Sequence, residues 1–155
     1  MGKNSIFIAA AFILLALSFG CLGPSAAPPS FRTLEFKSHD ISLSVEMAAT
    51  PAQIETGLMG RTFLDERSGM LFDMGPAPAY RPTFYMYRTL IPLDAIFLDE
   101  GMSVVDIQSM APCLSERASG CQRYTSRAPA RFVLEVNGGF CEKNGIKIGD
   151  KARLE

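Results

Sequence analysis

The longest nearly uncharged apolar run outside the N-terminus lies between Thr83 and Asp99, which reads T-F-Y-M-Y-R-T-L-I-P-L-D-A-I-F-L-D and carries only Arg88 and Asp94 as charges before Asp99. Thr83–Tyr87 alternates Phe84 and Met86 against Tyr85 and Tyr87, the period of a strand with two different faces. Asp94–Leu98 is apolar on both faces, which predicts a covered central strand. Pro92 cannot donate to a ladder, so it marks a bend or a strand start. Asp99-Glu100-Gly101-Met102 reads as a hairpin turn, and Ser103–Met110 returns beside Asp94–Leu98 as its antiparallel neighbour.

The same periodicities organise the rest of the chain. Phe31–Phe36 and Ile41–Ala48 read as strands around a Ser38-His39-Asp40 turn, with Ile41, Leu43, Val45 and Met47 on one face. A helix follows. Thr50 caps it, Pro51 takes its first position, Gln53 completes a capping box, and Gly60 stops it. Ile54 and Leu58 form its apolar face. Gly69–Met74 is a short apolar strand, Gly75–Pro82 a Pro-rich loop, and Ala111–Pro129 a long irregular loop. Arg131–Val136 is a strand, and Asn137-Gly138-Gly139 leads into a short helix ending near Gly145. Ile146–Ile148 and Lys151–Leu154 close the chain. About eight short strands and two short helices predict a mainly β domain, sandwich-like, jelly-roll-like or barrel-like.

The N-terminus stands apart from this pattern. Residues 1–20 hold Lys3, an apolar run from Ile6 to Phe19 broken only by Ser18, and Gly20, the layout of a secretory signal. The run is shorter than the roughly 20 residues of a spanning helix. Gly before Cys21 resembles a lipoprotein signal in which Cys21 is lipidated; ordinary cleavage and an uncleaved anchor are the alternatives. Residues 21–30 form a Pro/Ala/Ser tether that extends to roughly 30 Å, and residues 31–155 the single β-rich domain. All three alternatives predict an exported protein on the outer face of the cytoplasmic membrane or in the cell envelope. The chain has 155 residues, 48% hydrophobic and 20% charged, with a formal net charge of −1. That balance excludes disorder and leaves no electrostatic footprint for nucleic acid.

Cys113 and Cys121 share the long loop, and in an oxidising compartment they read as a disulfide. Cys141 is left over, as a small buried hydrophobe or, less simply, a reactive thiol. A metal site is not expected: no C-x2-C spacing occurs, His39 is the single histidine, and Met59, Met70, Met74 and Met86 read as core filler rather than a soft copper site. No cofactor is expected.

Several ordered motifs together resemble the family called domain of unknown function 192: G-L-M-G-R (Gly57–Arg61), G-M-L-F (Gly69–Phe72), F-Y-M-Y-R-T-L-I-P-L-D-A-I-F (Phe84–Phe97), and P-A-R-F-V-L-E-V-N-G-G (Pro129–Gly139) followed by G-I-K-I-G-D. The resemblance runs from about Leu43 to Leu154. It implies a compact, mostly β fold of jelly-roll or sandwich type, often exported, with a cysteine pair that fits Cys113 and Cys121. It brings no catalytic residue. The chain departs from the family's usual Trp at Tyr85 and its usual Asn at Arg88. If that Asn contacts a ligand in relatives, the ligand here differs or Arg88 is turned away.

Asp94 is the sharpest chemical candidate, because a carboxylate among Leu93, Ala95, Ile96 and Leu98 requires partners. Backbone N–H groups near Thr89–Ile91, or Arg61, Arg81 or Arg88, would serve it structurally. A ligand-orienting role, or an acid/base pair with Glu135 as in two-carboxylate glycosidases, are the functional readings. Glu135 shares a face with Arg131 and Val133, where a cross-strand ion pair is the plain expectation. Tyr80, Tyr85, Tyr87 and Tyr124 offer aromatic platforms with polar tips. The expected ligand-binding set is Asp94, Arg88, Tyr85, Met86, Arg61, Tyr124, Glu135 and Asn137. The expected function is a non-catalytic extracytoplasmic binding domain for a small polar or carbohydrate-like ligand or an envelope partner, held at the membrane by its N-terminal lipid or signal anchor. A hydrolase of envelope glycans using Asp94 and Glu135, and a structural or assembly lipoprotein, are the alternatives.

Overall fold

The computed structural model describes residues 28–76 and 80–155. The signal segment, Cys21 and most of the tether lie outside the described residues, as do residues 77–79 of the Pro-rich loop. The chain runs β1 (Phe31–Phe36), β2 (Ile41–Ala48), α1 (Pro51–Thr56), β3 (Ser68–Asp73), β4 (Thr83–Phe84), β5 (Leu93–Leu98), β6 (Val104–Met110), β7 (Tyr124–Thr125), β8 (Phe132–Asn137), α2 (Phe140–Asn144) and β9 (Arg153–Leu154).

Seven strands form one sheet in the order β6-β5-β8-β3-β2-β1-β9. Neighbours are antiparallel except β2 and β3. That parallel pair needs a crossover, and the segment carrying α1 supplies it. The sheet curls until its ends meet: Ser103 bridges Lys151, and Ala152 N–H donates to the Met102 carbonyl at 2.9 Å. The result is barrel-like, with two hydrophobic layers. The inner layer holds Leu34, Phe36, Leu43, Val45, Leu71, Ile96, Leu98, Leu134 and Val136, plugged by Phe140 and Cys141 of α2. The outer layer holds Met70, Phe72, Leu93, Ala95, Phe97 and Val133, covered by Leu58, Phe84, Met86 and Tyr124. Because both faces of β5 are covered, every one of its residues is buried, as the unbroken apolar run predicts.

Two local predictions turn out differently. The alternation over Thr83–Tyr87 is not a five-residue strand: Thr83 and Phe84 pair with Thr125 and Tyr124 in a two-stranded sheet, and Tyr87 makes an isolated bridge to Cys113. The chain then leaves the ladder, because Met86 turns into the outer layer and Arg88 adopts a left-handed φ of 55°. The alternation reports a covering layer rather than a sheet strand. The helix signals at Thr50, Pro51 and Gln53 form the expected capping box, but α1 ends at Gly57 rather than Gly60. Gly57 has φ 46°, and a Cβ there would stand 3.3 Å from the Phe72 ring. Glycine therefore satisfies both the backbone and the close approach.

The long loop is held twice. Cys113 and Cys121 are joined by a disulfide, with Cα atoms 5.6 Å apart. Fully buried Asp106 on β6 accepts hydrogen bonds from Arg127 N at 2.9 Å, Arg127 Nε at 2.9 Å and Gln108 Nε2 at 2.8 Å. Burial pushes the Asp106 carboxyl up, but these bonds, with that from Ile107 N, outweigh it and hold its pKa below the ordinary value.

Candidate functional site

The alternation of β8 sends Val133 and Glu135 to the outer face and Leu134 and Val136 to the inner one. Glu135 pairs in register with Met70 on β3 and Ala95 on β5, so an acidic side chain stands in the middle of an apolar row. α1 and β4 lie over that row without filling it. Phe84 packs edge-on between Phe72 and Phe97, with ring centroids 5.0 Å and 6.4 Å away, and walls one side. Ile54, Leu58 and Met59 wall the other. Between them is a pocket of about 360 Å³ whose lining also includes Met74, Tyr85, Thr89 and, from α1, Glu55.

Glu135 is only 5% exposed. Among the described residues its carboxyl has no hydrogen-bond or ion-pair partner within reach. Burial alone pushes its pKa up to about 8, because the charged form loses its hydration and gains nothing in return. The cross-strand ion pair expected at this position is absent: Arg131 bonds instead with Asp73 and Glu100. Near neutral pH the carboxyl is mostly protonated, able to donate one hydrogen bond or to give up a proton when a cation arrives. Thr89, in the same lining, is buried, and Tyr85 is half-buried with Arg123 stacked 4.6 Å from its ring centroid.

The remaining residues of the expected set do other work. Asp94 is 1% exposed and faces the inner layer, where Ser109 Oγ donates to it at 2.8 Å and Cys141 N at 2.9 Å. Its partners are thus the opposite strand and the first turn of α2, not the backbone near Thr89–Ile91 or an arginine. Asp94 pairs with Val136 while Glu135 pairs with Ala95, so adjacent registers put the two carboxylates on opposite faces of the sheet. An acid/base pair of Asp94 and Glu135 across one bond is therefore ruled out by the pleat. Asn137 donates to the Leu64 and Asp65 carbonyls at 2.9 Å and 3.1 Å, pinning the loop before β3. Tyr124 is buried, its hydroxyl accepting from Ala111 N at 3.3 Å. Arg61 pairs with Glu46. Met86 is core. Arg88 is exposed and turned toward Tyr87, its guanidinium carbon 5.1 Å from that ring centroid. Only Tyr85 and Glu135 of the set line one pocket. Sequence reasoning did not reach Thr89, Phe84, Phe72 or Ile54, although the α1 face and the alternation around Glu135 carried the signal. No cluster of three or more metal-ligating side chains occurs among the described residues, and no described helix is long and apolar enough to cross a membrane.

Residues 33–154 match the model of the domain of unknown function 192 family, described as an uncharacterised ACR. The chain belongs to this family. No curated protein matches it. Among solved structures, this domain of unknown function 192 protein is similar to one from Sinorhizobium meliloti described as a candidate transcription regulator, at 30% identity over 85% of this chain and 98% of that one, with a TM-score of 0.69. It is also similar to a protein of unknown function from Novosphingobium aromaticivorans, at 32% identity over 86% of this chain and 94% of that one, with a TM-score of 0.68. Arg88 has φ 55°, a conformation that Asn tolerates better than most residues.

Proposed function

We propose that the protein is an exported, lipid-anchored binding domain that captures a small molecule in the pocket over Glu135. One observation carries this reading: Glu135, a residue only 5% exposed, has no partner for its carboxyl among the described residues and lines a cavity of about 360 Å³ into which that carboxyl opens. Buried polar groups are ordinarily satisfied, and both other deeply buried carboxylates, Asp94 and Asp106, are. A polar group left open inside a mostly apolar pocket is the arrangement of a ligand site. The lining moves the expected ligand away from a carbohydrate, whose many hydroxyls need many polar partners, toward a small apolar body with one polar group.

Export and anchoring are supported by the apolar run ending at Gly20-Cys21 and by the Pro/Ala/Ser tether. The description of the S. meliloti relative as a candidate regulator is not carried over, since a net charge of −1 offers no basic footprint for nucleic acid. The test is a fragment screen of the purified full chain by protein-observed NMR. Saturable shifts confined to α1, Phe84–Thr89 and β8 support the reading. Shifts that map only to the separate cavity of about 490 Å³ beside Phe63 and Lys143, or no shifts at all, overturn it.

A further inference from the structure

We infer that the occupant of the Glu135 pocket is an organic cation, an amine or guanidine on a small apolar body, whose charged group pairs with the Glu135 carboxylate. The inference rests on the reading of this pocket as a ligand site and deepens it. Four features point the same way. Among the described residues, the only charged side chains in the lining are two carboxylates, Glu135 and Glu55. No lysine or arginine is among the described lining residues, so no cationic side chain there would pair with an anion. The walls include the Phe72 and Phe84 rings, whose faces attract cations, and the Tyr85 ring, which already stacks on one cation, Arg123. Glu135 has no partner of its own among the described residues, so a ligand cation would displace no existing bond.

Pairing requires that Glu135 ionise, so binding couples to proton release. The groups facing Glu135 are few. β3 and β5 present Met70, Phe72 and Ala95, α1 presents Glu55, and the segment after β4 presents Tyr85 with Arg123 stacked on its ring. None is a buried cation that could compete. In the free protein the Glu135 carboxyl titrates at about 8. Below that pH each amine bound expels about one proton, and the apparent affinity rises about tenfold per pH unit. It levels off above about pH 8 and falls again where the ligand's own amine loses its charge, near pH ~10.

The test is isothermal titration of the full chain with butylamine, benzylamine, phenethylamine and phenylguanidine. Each is paired with its neutral alcohol or urea isostere, between pH 6 and 9, in two buffers of different ionisation enthalpy. The expected result is binding of at least one cation roughly tenfold or more tighter than its neutral isostere, with about one proton released per site at pH 7. Glu135→Gln should lose both the proton release and the preference while keeping the weak binding of the neutral partner. Neutral isosteres binding as tightly as the cations, without proton release, overturn the cation inference and leave the pocket reading intact. No binding by either series, alongside a blank fragment screen, overturns both. Should Glu135→Gln fail to fold, the isostere comparison and the proton count on the unaltered chain decide alone.

Discussion

Asp94 and Glu135 stand one register step apart on neighbouring strands and face opposite sides of the same sheet. Asp94 looks into the barrel and is fully engaged by Ser109 Oγ and Cys141 N. Glu135 looks outward, under α1, and is engaged by nothing among the described residues. Two acidic residues that look equivalent in sequence thus have opposite roles: one holds the fold together and one is left open.

Removing the Asp94 carboxyl should therefore harm stability rather than binding. Asp94→Ala strands the Cys141 N–H in the interior, at about 1–3 kcal/mol, while exposed Ser109 can turn its hydroxyl to water. Urea unfolding should show a lower midpoint with an unchanged slope, while the pocket over Glu135 keeps its NMR response to ligands. Near-wild-type stability with altered ligand response would reverse the assignment of roles.

Glu135 predicts an unusual pH dependence. Its folded-state pKa of about 8 lies above the ordinary 4.5, so its contribution to stability is full below the unfolded value, declines as pH rises between the two, and is flat above about 8. Glu135→Gln does not titrate. Its stability relative to the wild type should grow from pH 5 to pH 9 by a few kcal/mol, since a tenfold change in proton affinity corresponds to about 1.4 kcal/mol. Chemical denaturation of both proteins at the two pH values checks this. A constant difference would mean that Glu135 is solvated or paired.

Asp106 titrates in the opposite sense. Its folded-state pKa is held below the ordinary 3.8, so its contribution is present above the unfolded pKa and is lost as pH falls through the folded one. Asp106→Ala should cost about 2–3 kcal/mol near neutral pH by unbinding Arg127 and the loop before β8. The difference from wild type should shrink as pH falls below the unfolded value of 3.8. Hydrogen exchange should quicken first at Arg127, whose N–H donates to Asp106 at 2.9 Å.

Arg88 carries a left-handed backbone, φ 55°, with its side chain exposed. Arg88→Asn should raise stability by about 0.5–1 kcal/mol, as the strain in this region is about 1–2 kcal/mol for most residues and smaller for Asn. It should leave ligand binding over Glu135 unchanged. A loss of binding in this variant would place Arg88 in the site after all.

The thiols should separate cleanly. The Cys113–Cys121 loop closes over a separation of 8, and reducing it should cost about 2–3 kcal/mol on the chain-entropy model. Cys141 is buried, and burial followed by the neighbouring Asp94 carboxylate pushes its thiol pKa up. A thiol reagent should leave native Cys141 unlabelled and react only with unfolding. Rapid stoichiometric labelling in the native state would contradict this.

What could be read directly from the chain was local or periodic. The covered strand over Asp94–Leu98, its hairpin partner over Ser103–Met110, the Thr50 capping box and the mainly β class all follow from patterns within a few residues or one turn, where neighbouring side chains set the outcome. The site did not yield to that reading. Glu135 becomes an acid without a partner among the described residues only because residues of α1, from far earlier in the chain, help wall the pocket it lines. Asp94 becomes structural only because Cys141 arrives 47 residues later. Alternation states that Val133 and Glu135 share a face, but not whether that face meets water, a wall or a cavity. That choice belongs to tertiary packing, since the cost of burying a charge depends on every group brought around it, and those groups are scattered along the sequence.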